Sequence, residues 1–356
     1  MAKSPKFNPE TWISDYFNLM FSKTSRNKHR VWGTNLKRSR LNQLGGLCRY
    51  RNTKDIERII KDLENGLEPR IWFSFPDELN DPYDSQIPNI CCEIPSIFEE
   101  TVKACCTYLI DREGISEPEV MKFLAECESN LPTDDLGEFN YCLAKIFLQY
   151  SRKKMKSFSD CRQFVDAVVQ RPYLEICKQK QRERAITCFT EKPDSILMWS
   201  HYAENHTGVC LYYGIQTLET YQMLDKGYLM EYIHPVQYSA DASEQIAMFR
   251  DLVISQAKNG KYNRNDALRF SMINSLTKSL DWSYEQEWRM VLNLGQIENP
   301  PEIMRYLRVK PDCIYLGANI SQENEEKLCR LAEENAISVK KMFLTDRTYK
   351  LVARDL

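Results

Sequence analysis

The stretch "LCRYRNTKDIERIIKDLENGLEPRIWFSF", Leu47 to Phe75, sets two short apolar runs on either side of a charged, periodic segment. "LCRYRN" (47–52) and "RIWFSF" (70–75) have the length and the aromatic content of strands. Between them Ile56, Ile59, Ile60 and Leu63 recur at helical spacing, Thr53 stands where an N-cap belongs, and Gly66 stands where a left-handed C-terminal cap belongs. The spacing predicts a strand-helix-strand unit.

Working outward, further strand patterns appear at "AITCF" (185–189), "GVCLYYGI" (208–215), "LMEYIHPVQY" (229–238), "EWRMVLNL" (287–294), "CIYLG" (313–317) and, as the last strand, "ISVKKMFL" (337–344). Helical periodicity occupies 96–112, 117–129, 137–157 and a fourth segment from Cys161 to Arg184, interrupted at Pro172. Helices are also expected over 242–258, 264–280 and 321–335. Strands on both sides of a helical block, without steady alternation of strand and helix, predict an α+β fold: a mixed or mainly antiparallel sheet core with a helical insertion. The expected layout is an N-terminal extension over 1–44, then a single α+β domain over 45–356 with the insertion at 95–184.

In the extension, "TWISDYFNLMF" (11–21) has apolar groups at helical spacing and should dock on the body. The following "SKTSRNKHRVWGTNLKRSR" (22–40) carries seven Lys and Arg and no acid. It is either a solvated linker or, over 23–40, a basic arm for a protein or nucleic-acid partner. Across the whole chain 48 basic residues meet 50 acidic ones, so no global attraction to nucleic acid or an anionic membrane is expected. The Cys count is odd, at 13, and most Cys lie inside apolar runs, a pattern of small buried hydrophobes in a reducing compartment. The N-terminus lacks an apolar signal core, and no run approaches the ~18 apolar residues of a membrane span. The expectation is a cytoplasmic protein with no membrane segment.

No metal site is expected. Cys91-Cys92 and Cys105-Cys106 lack the two-residue spacer that brings two thiolates to one zinc, and His201 and His206 are five apart without an intervening Glu. Phosphate-loop, dinucleotide-fingerprint and nucleophile-elbow motifs are absent as well. What remains is polar residues at strand ends among aromatic ones. In "ELNDPYD" (78–84), Pro82 holds Asp81 extended, so the turn can aim Asn80, Asp81 and Asp84, or merely close a junction. In "MWSHYAENHTG" (198–208), His201 and Tyr202 could face a cleft with Trp199 as its wall, or His201 and His206 could be structural. In "SYEQEWRMVLN" (283–293), Glu285, Glu287 and Arg289 share one strand face, as a charged pocket or an ion pair inside the fold.

Taken together, "LCRYRN…IWFSFPDELNDPYDS", "AITCFTEKPDSILMWSHYAENHTGVCLYY" and "KSLDWSYEQEWRMVL…IYLGANIS" resemble the motifs of a prokaryotic family catalogued as domain of unknown function 2971, over about 46–95 and 184–320. The layout is also similar to that of ADP-ribosyltransferases, in which residues from three strands surround NAD. That similarity implies Arg49 or Tyr50 at the cofactor's phosphate or ribose, with Arg51 beside them, and Thr190 in the middle place. It implies Glu287, with Glu285, in the chemistry at the nicotinamide ribose. Trp199, His201, Tyr202, Asn80, Asp81 and Arg289 would complete the cofactor pocket. Three functions are therefore expected as alternatives: an NAD-dependent ADP-ribosyltransferase-like or NAD-consuming effector, in phage defence or as a toxin; a catalytically inert nucleotide- or protein-sensing module; or a nucleic-acid-acting protein using the basic arm.

Overall fold

The computed structural model describes residues 7–85, 95–132, 136–151, 153–168, 184–223, 227–259, 261, 263–294 and 301–356. The chain opens with α1 (Trp12–Phe21), α2 (Asn27–Leu44), β1 (Gly46–Arg51), α3 (Thr53–Glu64) and β2 (Arg70–Trp72). Helices α4 (Pro95–Tyr108), α5 (Glu117–Asn130), α6 (Leu136–Tyr150) and α7 (158–168) follow. Next come β3 (Arg184–Thr190), α8 (Ile196–Tyr202), β4 (Val209–Gly214), α9 (Ile215–Thr220), α10 (Leu229–Tyr232), β5 (Ile233–Pro235) and β6 (Gln237–Ser239). Helices α11 (Ser243–Asn259) and α12 (Arg264–Leu276) precede β7 (Thr277–Ser279), β8 (Glu287–Asn293), β9 (Tyr306–Arg308), β10 (Cys313–Leu316), α13 (Gln322–Glu334), β11 (Ser338–Leu344) and β12 (Leu351–Asp355).

Two compact units result. One holds 1–85, 182–241 and 275–356; the other holds 86–181 and 242–274. The first is built on an eight-stranded sheet in the order β12-β11-β10-β4-β1-β3-β8-β5. Every neighbouring pair is antiparallel except β10 and β11, which α13 connects. The fold is α+β with a mainly antiparallel sheet. The second unit is helical, its core made by Phe98, Leu109, Phe123, Phe147, Phe249 and Phe270. Thus α11 and α12, which their sequence position left with the sheet, pack with α4–α7. The expected break at Pro172 and the pair Cys91-Cys92 lie outside the described residues. Among the described residues no helix is long and apolar enough to cross a membrane.

Several local expectations are corrected. The second strand of the opening unit, β2, does not join the large sheet: it pairs with β9, Arg70 opposite Arg308. The pairing with β9 runs for three residues, after which the chain returns to the large sheet as a single bridge from Ser74 to Ile186. The run 229–238 is not one strand. It makes the helical turn α10, then β5 at the sheet edge, where the N–H that Pro235 lacks is not needed, and then β6 in a separate two-stranded sheet. The last strand is β12, not 337–344. Asn52, not Thr53, caps α3, its Oδ1 accepting from the Asp55 N–H at 3.1 Å. Gly66 does take the left-handed conformation, at φ 63°.

The first 44 residues form α1 and α2 within the sheet-bearing unit. Trp12 stacks on Trp288 at 5.5 Å between ring centroids, and the buried Tyr16 hydroxyl bonds Nδ1 of His234. Most of the basic stretch is helix α2 rather than a linker, anchored through its C-terminal half, while Lys23, Arg26, Lys28 and Arg30 are exposed. Lys37, 1% exposed, donates from Nζ to the carbonyls of Met230 and Ile233, both at 2.8 Å, Arg40 pairs with Glu191, and Arg38 donates to Glu219 at 2.9 Å. Burial lowers the Lys37 pKa to about 7, and the carbonyl cage is what makes its placement tolerable.

After α8, Glu204, Asn205 and His206 run at φ 49°, 54° and 68°, a left-handed turn that only close backbone contacts can hold. Gly208 donates to the Ala203 carbonyl at 2.9 Å, and a Cβ there would meet the Arg51 carbonyl at 2.0 Å. Gly208→Ala is therefore expected to abolish cooperative unfolding or leave the chain insoluble. Trp12→Ala should keep the fold and lower stability by about 3–5 kcal/mol, read as an earlier midpoint in urea; an unshifted midpoint would show that α1 does not contribute to the sheet-bearing unit.

Candidate functional site

Strand register brings the polar residues together. Thr190 on β3 lies opposite Cys48 of β1 on one side and opposite Glu287 of β8 on the other, and Cys188 lies opposite Arg289. Glu285 is not in a strand. It ends a 3₁₀ turn (Leu280–Glu285), and Gln286, at φ 45°, swings the chain into β8. The Thr190 hydroxyl donates to the Glu285 carbonyl at 2.6 Å and pins that turn.

Beneath lies a buried ionic network. Arg289, with no exposed surface, donates from Nε to Glu287 Oε1 at 2.8 Å, from Nη2 to Glu287 Oε2 at 3.0 Å, and from Nη1 to Asp84 Oδ1 at 2.7 Å and the Ser275 carbonyl at 2.8 Å. Lys278 donates to Glu285 Oε2 at 2.7 Å and to Glu287 Oε2 at 3.3 Å. The Tyr202 hydroxyl donates to Glu285 Oε1 at 2.6 Å and accepts from Asn80 at 3.3 Å. Three carboxylates thus face two cations. The Arg289 and Lys278 charges overcome desolvation and hold the Glu287 carboxyl well below its ordinary value. Burial, then the charge of Glu287, pushes Glu285 the other way, to about 7. A proton shared by the pair therefore resides on Glu285.

Above the network is a cavity of about 270 Å³. Its walls include the consecutive residues Cys48–Arg51 of β1 and Ile186–Thr190 of β3. These neighbouring strands register only at Cys48 and Thr190 and diverge beyond, so the cavity occupies an opening in the sheet. Glu285, Glu287, Lys278, Tyr202 and Asn80 reach it from one side.

Of the residues singled out by sequence, Arg49, Tyr50, Arg51, Asn80, Asp84, Thr190, Tyr202, Glu285 and Glu287 line this cavity. Tyr50 is fixed by its hydroxyl bond to the Lys192 carbonyl at 2.8 Å. Five do not line it. Trp199 is fully buried, its Nε1 donating to the Pro193 carbonyl at 2.7 Å and its ring meeting Tyr50 edge-on at 5.1 Å, so it is a core anchor and no stacking wall. His201 lies on the exposed face of α8 with Tyr284 as its ring neighbour. Asp81 closes a turn by accepting from the Tyr83 N–H at 2.9 Å. Arg289 sits below as the holder of Glu287 and Asp84. His206 stacks on Trp199 at the end of α8.

Lys278 was missed, because the helical periodicity of 264–280 runs through it while the structure puts it on β7. Tyr238, whose hydroxyl accepts from the Glu287 N–H at 2.8 Å, carried no signal at all. Among the described residues no group of three or more His, Cys, Asp or Glu is arranged to hold a metal ion.

Comparison with known proteins gives one family. No curated protein and no solved structure matches the chain. The model of a family described as protein of unknown function (DUF2971) matches residues 198–290, from Met198 on α8 to Met290 on β8. The segments at 46–95, 184–197 and 291–320 fall outside that span. The resemblance to DUF2971 thus rests on the segment that supplies Tyr202, Lys278, Glu285, Glu287 and Arg289 to the network.

Proposed function

We propose that the chain is an NAD-consuming enzyme of the ADP-ribosyltransferase kind, with its chemistry at the Glu285–Glu287 pair. The observation that carries this reading is the opposed proton affinity of two carboxyls on one cavity wall, the arrangement that separates a base from a permanent anion. Their strand neighbours support it, since β1, β3 and β8 contribute side by side in one row. In the reaction the bond from the ribose C1 to the nicotinamide nitrogen breaks and its electron pair leaves with nicotinamide. Ionised Glu287 stabilises the positive charge that develops on the ribose. An acceptor oxygen, from water or a second substrate, bonds to C1 and passes its proton to Glu285. Loss of cellular NAD is the property that a toxin or an effector of antiviral defence would use.

A second reading, a ligand-sensing module without turnover, is favoured by the bonding of the carboxylates themselves. Both oxygens of Glu287 and both of Glu285 already accept hydrogen bonds within the chain. A nucleic-acid role has less support, because Lys37 is buried, Arg40 is paired with Glu191 and Arg38 with Glu219, which leaves chiefly the exposed Lys23, Arg26, Lys28 and Arg30 for it.

Nicotinamide release from NAD, measured on the purified chain, tests the first reading. Glu287→Gln is expected to lower the rate by about 10²–10³; an unaltered rate removes Glu287 from the mechanism. The rate should rise with pH through about 7 as Glu285 loses its proton, and in Glu285→Gln this limb should vanish.

Stability gives an independent check. Because the folded-state pKa of Glu285 is raised, its stabilising contribution is complete below the ordinary carboxyl value of 4.5 and lost as pH rises through about 7. Glu285→Gln should flatten that slope. The sensing reading predicts instead that NAD raises the thermal midpoint while no nicotinamide appears.

A further inference from the structure

A second cavity, of about 500 Å³, lies between β1, α3, β2 and the 302–305 turn. Five arginines line it, Arg49, Arg51, Arg58, Arg70 and Arg305, against four acids, Asp55, Asp62, Glu78 and Glu302. Three of the arginines are paired: Arg70 with Asp62 at 3.0 Å, Arg58 with Asp55 at 3.0 Å, and Arg305 with Glu78. The other two are not neutralised in the same way. Arg51 comes only within 3.8 Å of Asp55, and its Nη2 has no hydrogen-bond partner among the described residues. Arg49, 6% exposed, makes no ion pair among the described residues. Its Nη2 donates to the Trp72 carbonyl at 2.7 Å, while Nε and Nη1 are buried without a partner. Buried guanidinium nitrogens left in this state destabilise the fold unless an acceptor meets them.

Their direction matters as much as their number. Successive β1 side chains alternate, so Arg49 and Arg51 share the face opposite to that of Tyr50. Arg49 lies over the Phe189 ring at 5.9 Å, whereas Thr190 and Glu287 belong to the other face. The carboxylates and the arginines therefore approach the opening in the sheet from opposite sides. Arg49, Arg51, Ser74 and Glu78 form the wall common to both cavities.

We propose that the larger cavity is a binding site for a phosphate-bearing small molecule, whose phosphate oxygens accept the free N–H groups of Arg49 and Arg51. Three nitrogens without partners match the three peripheral oxygens of a phosphate ester, and the planar fork of Arg suits that geometry. The site does not require turnover of NAD. Its common wall with the smaller cavity lets one ligand carry a phosphate on the arginine side and a sugar on the carboxylate side, and in that respect alone the inference rests on the function proposed above.

Titration calorimetry of the full chain with pyrophosphate and with inorganic phosphate tests it. The natural chain should bind both, with affinity falling as salt rises. Arg49→Met and Arg51→Met should each weaken binding about tenfold or more. Should these variants unfold, phenylglyoxal modification of the natural chain serves instead, and pyrophosphate should protect Arg49 and Arg51 in the mapped peptides. No binding at millimolar probe, equal binding by the folded variants, or protection confined to other arginines overturns the proposal. Nicotinamide release without pyrophosphate binding overturns it while sparing the enzymatic reading; binding without release upholds it and removes that reading.

Discussion

The sheet-bearing unit depends on one buried cation. Arg289 sits on a strand near the sheet edge, wholly out of water, and divides its guanidinium among Glu287, Asp84 and the Ser275 carbonyl. These partners come from the strand itself, from the end of α12 that leads into β7 and, 205 residues away, from the turn after β2. An isolated charge at such depth is not tolerated, and removing one member of a buried pair typically costs about 3–5 kcal/mol. The network is thus a requirement of assembly before it is anything else, since those segments can be buried only in each other's company. The glutamates that line the smaller cavity hold their positions because Arg289 and Lys278 hold them.

The same network explains why this part of the chain is chemically uneven. With two cations for three acids, the group with least compensation keeps its proton, and that is Glu285, whose company is Lys278 and a tyrosine hydroxyl rather than a guanidinium fork. Helix α8 takes its place in this arrangement through division of labour. Trp199 and Met198 are buried against Cys48 and Tyr50, and Tyr202, one turn on, is the residue that reaches the acid. The left-handed turn that follows returns the chain tightly enough for Gly208 and Gly317 to lie backbone to backbone, the Gly317 N–H bonding the Gly208 carbonyl at 3.0 Å.

Much of the fold was legible because the longer strands and helices carry their periods in contiguous residues. β3, β4, β8, β10 and β11 and the helices from α3 to α6 appear where the alternation or the helical spacing puts them. The three-residue strands were less legible: β2 reads as a strand but its partner does not, β5 and β6 read as one strand, and β7 and β9 were missed. Such strands are too short for a period and exist through their partners. Glu287 and Glu285 stood out as polar groups at the start of an apolar strand, whereas Thr190 and Arg49 entered only through the similarity to ADP-ribosyltransferases. Trp199 and His201 were misplaced for a physical reason: a seven-residue helix does not reveal from its own sequence which side meets the core. Lys37 shows the reverse failure. Composition registers a positive charge, but not that carbonyls at 230 and 233 require a donor.

Strand β1 lies inside the sheet, yet it comes early in the chain, and both its neighbours, β3 and β4, follow the whole run of helices from α4 to α7. During synthesis, then, an apolar strand with both edges open leaves the ribosome long before anything can pair with it. Such a nascent segment invites association between chains and delays closure of the sheet until most of the polypeptide has emerged. Its two arginines, the residues that the finished molecule leaves with free donors, keep that waiting strand charged and so restrain the pairing of one unfinished copy with another.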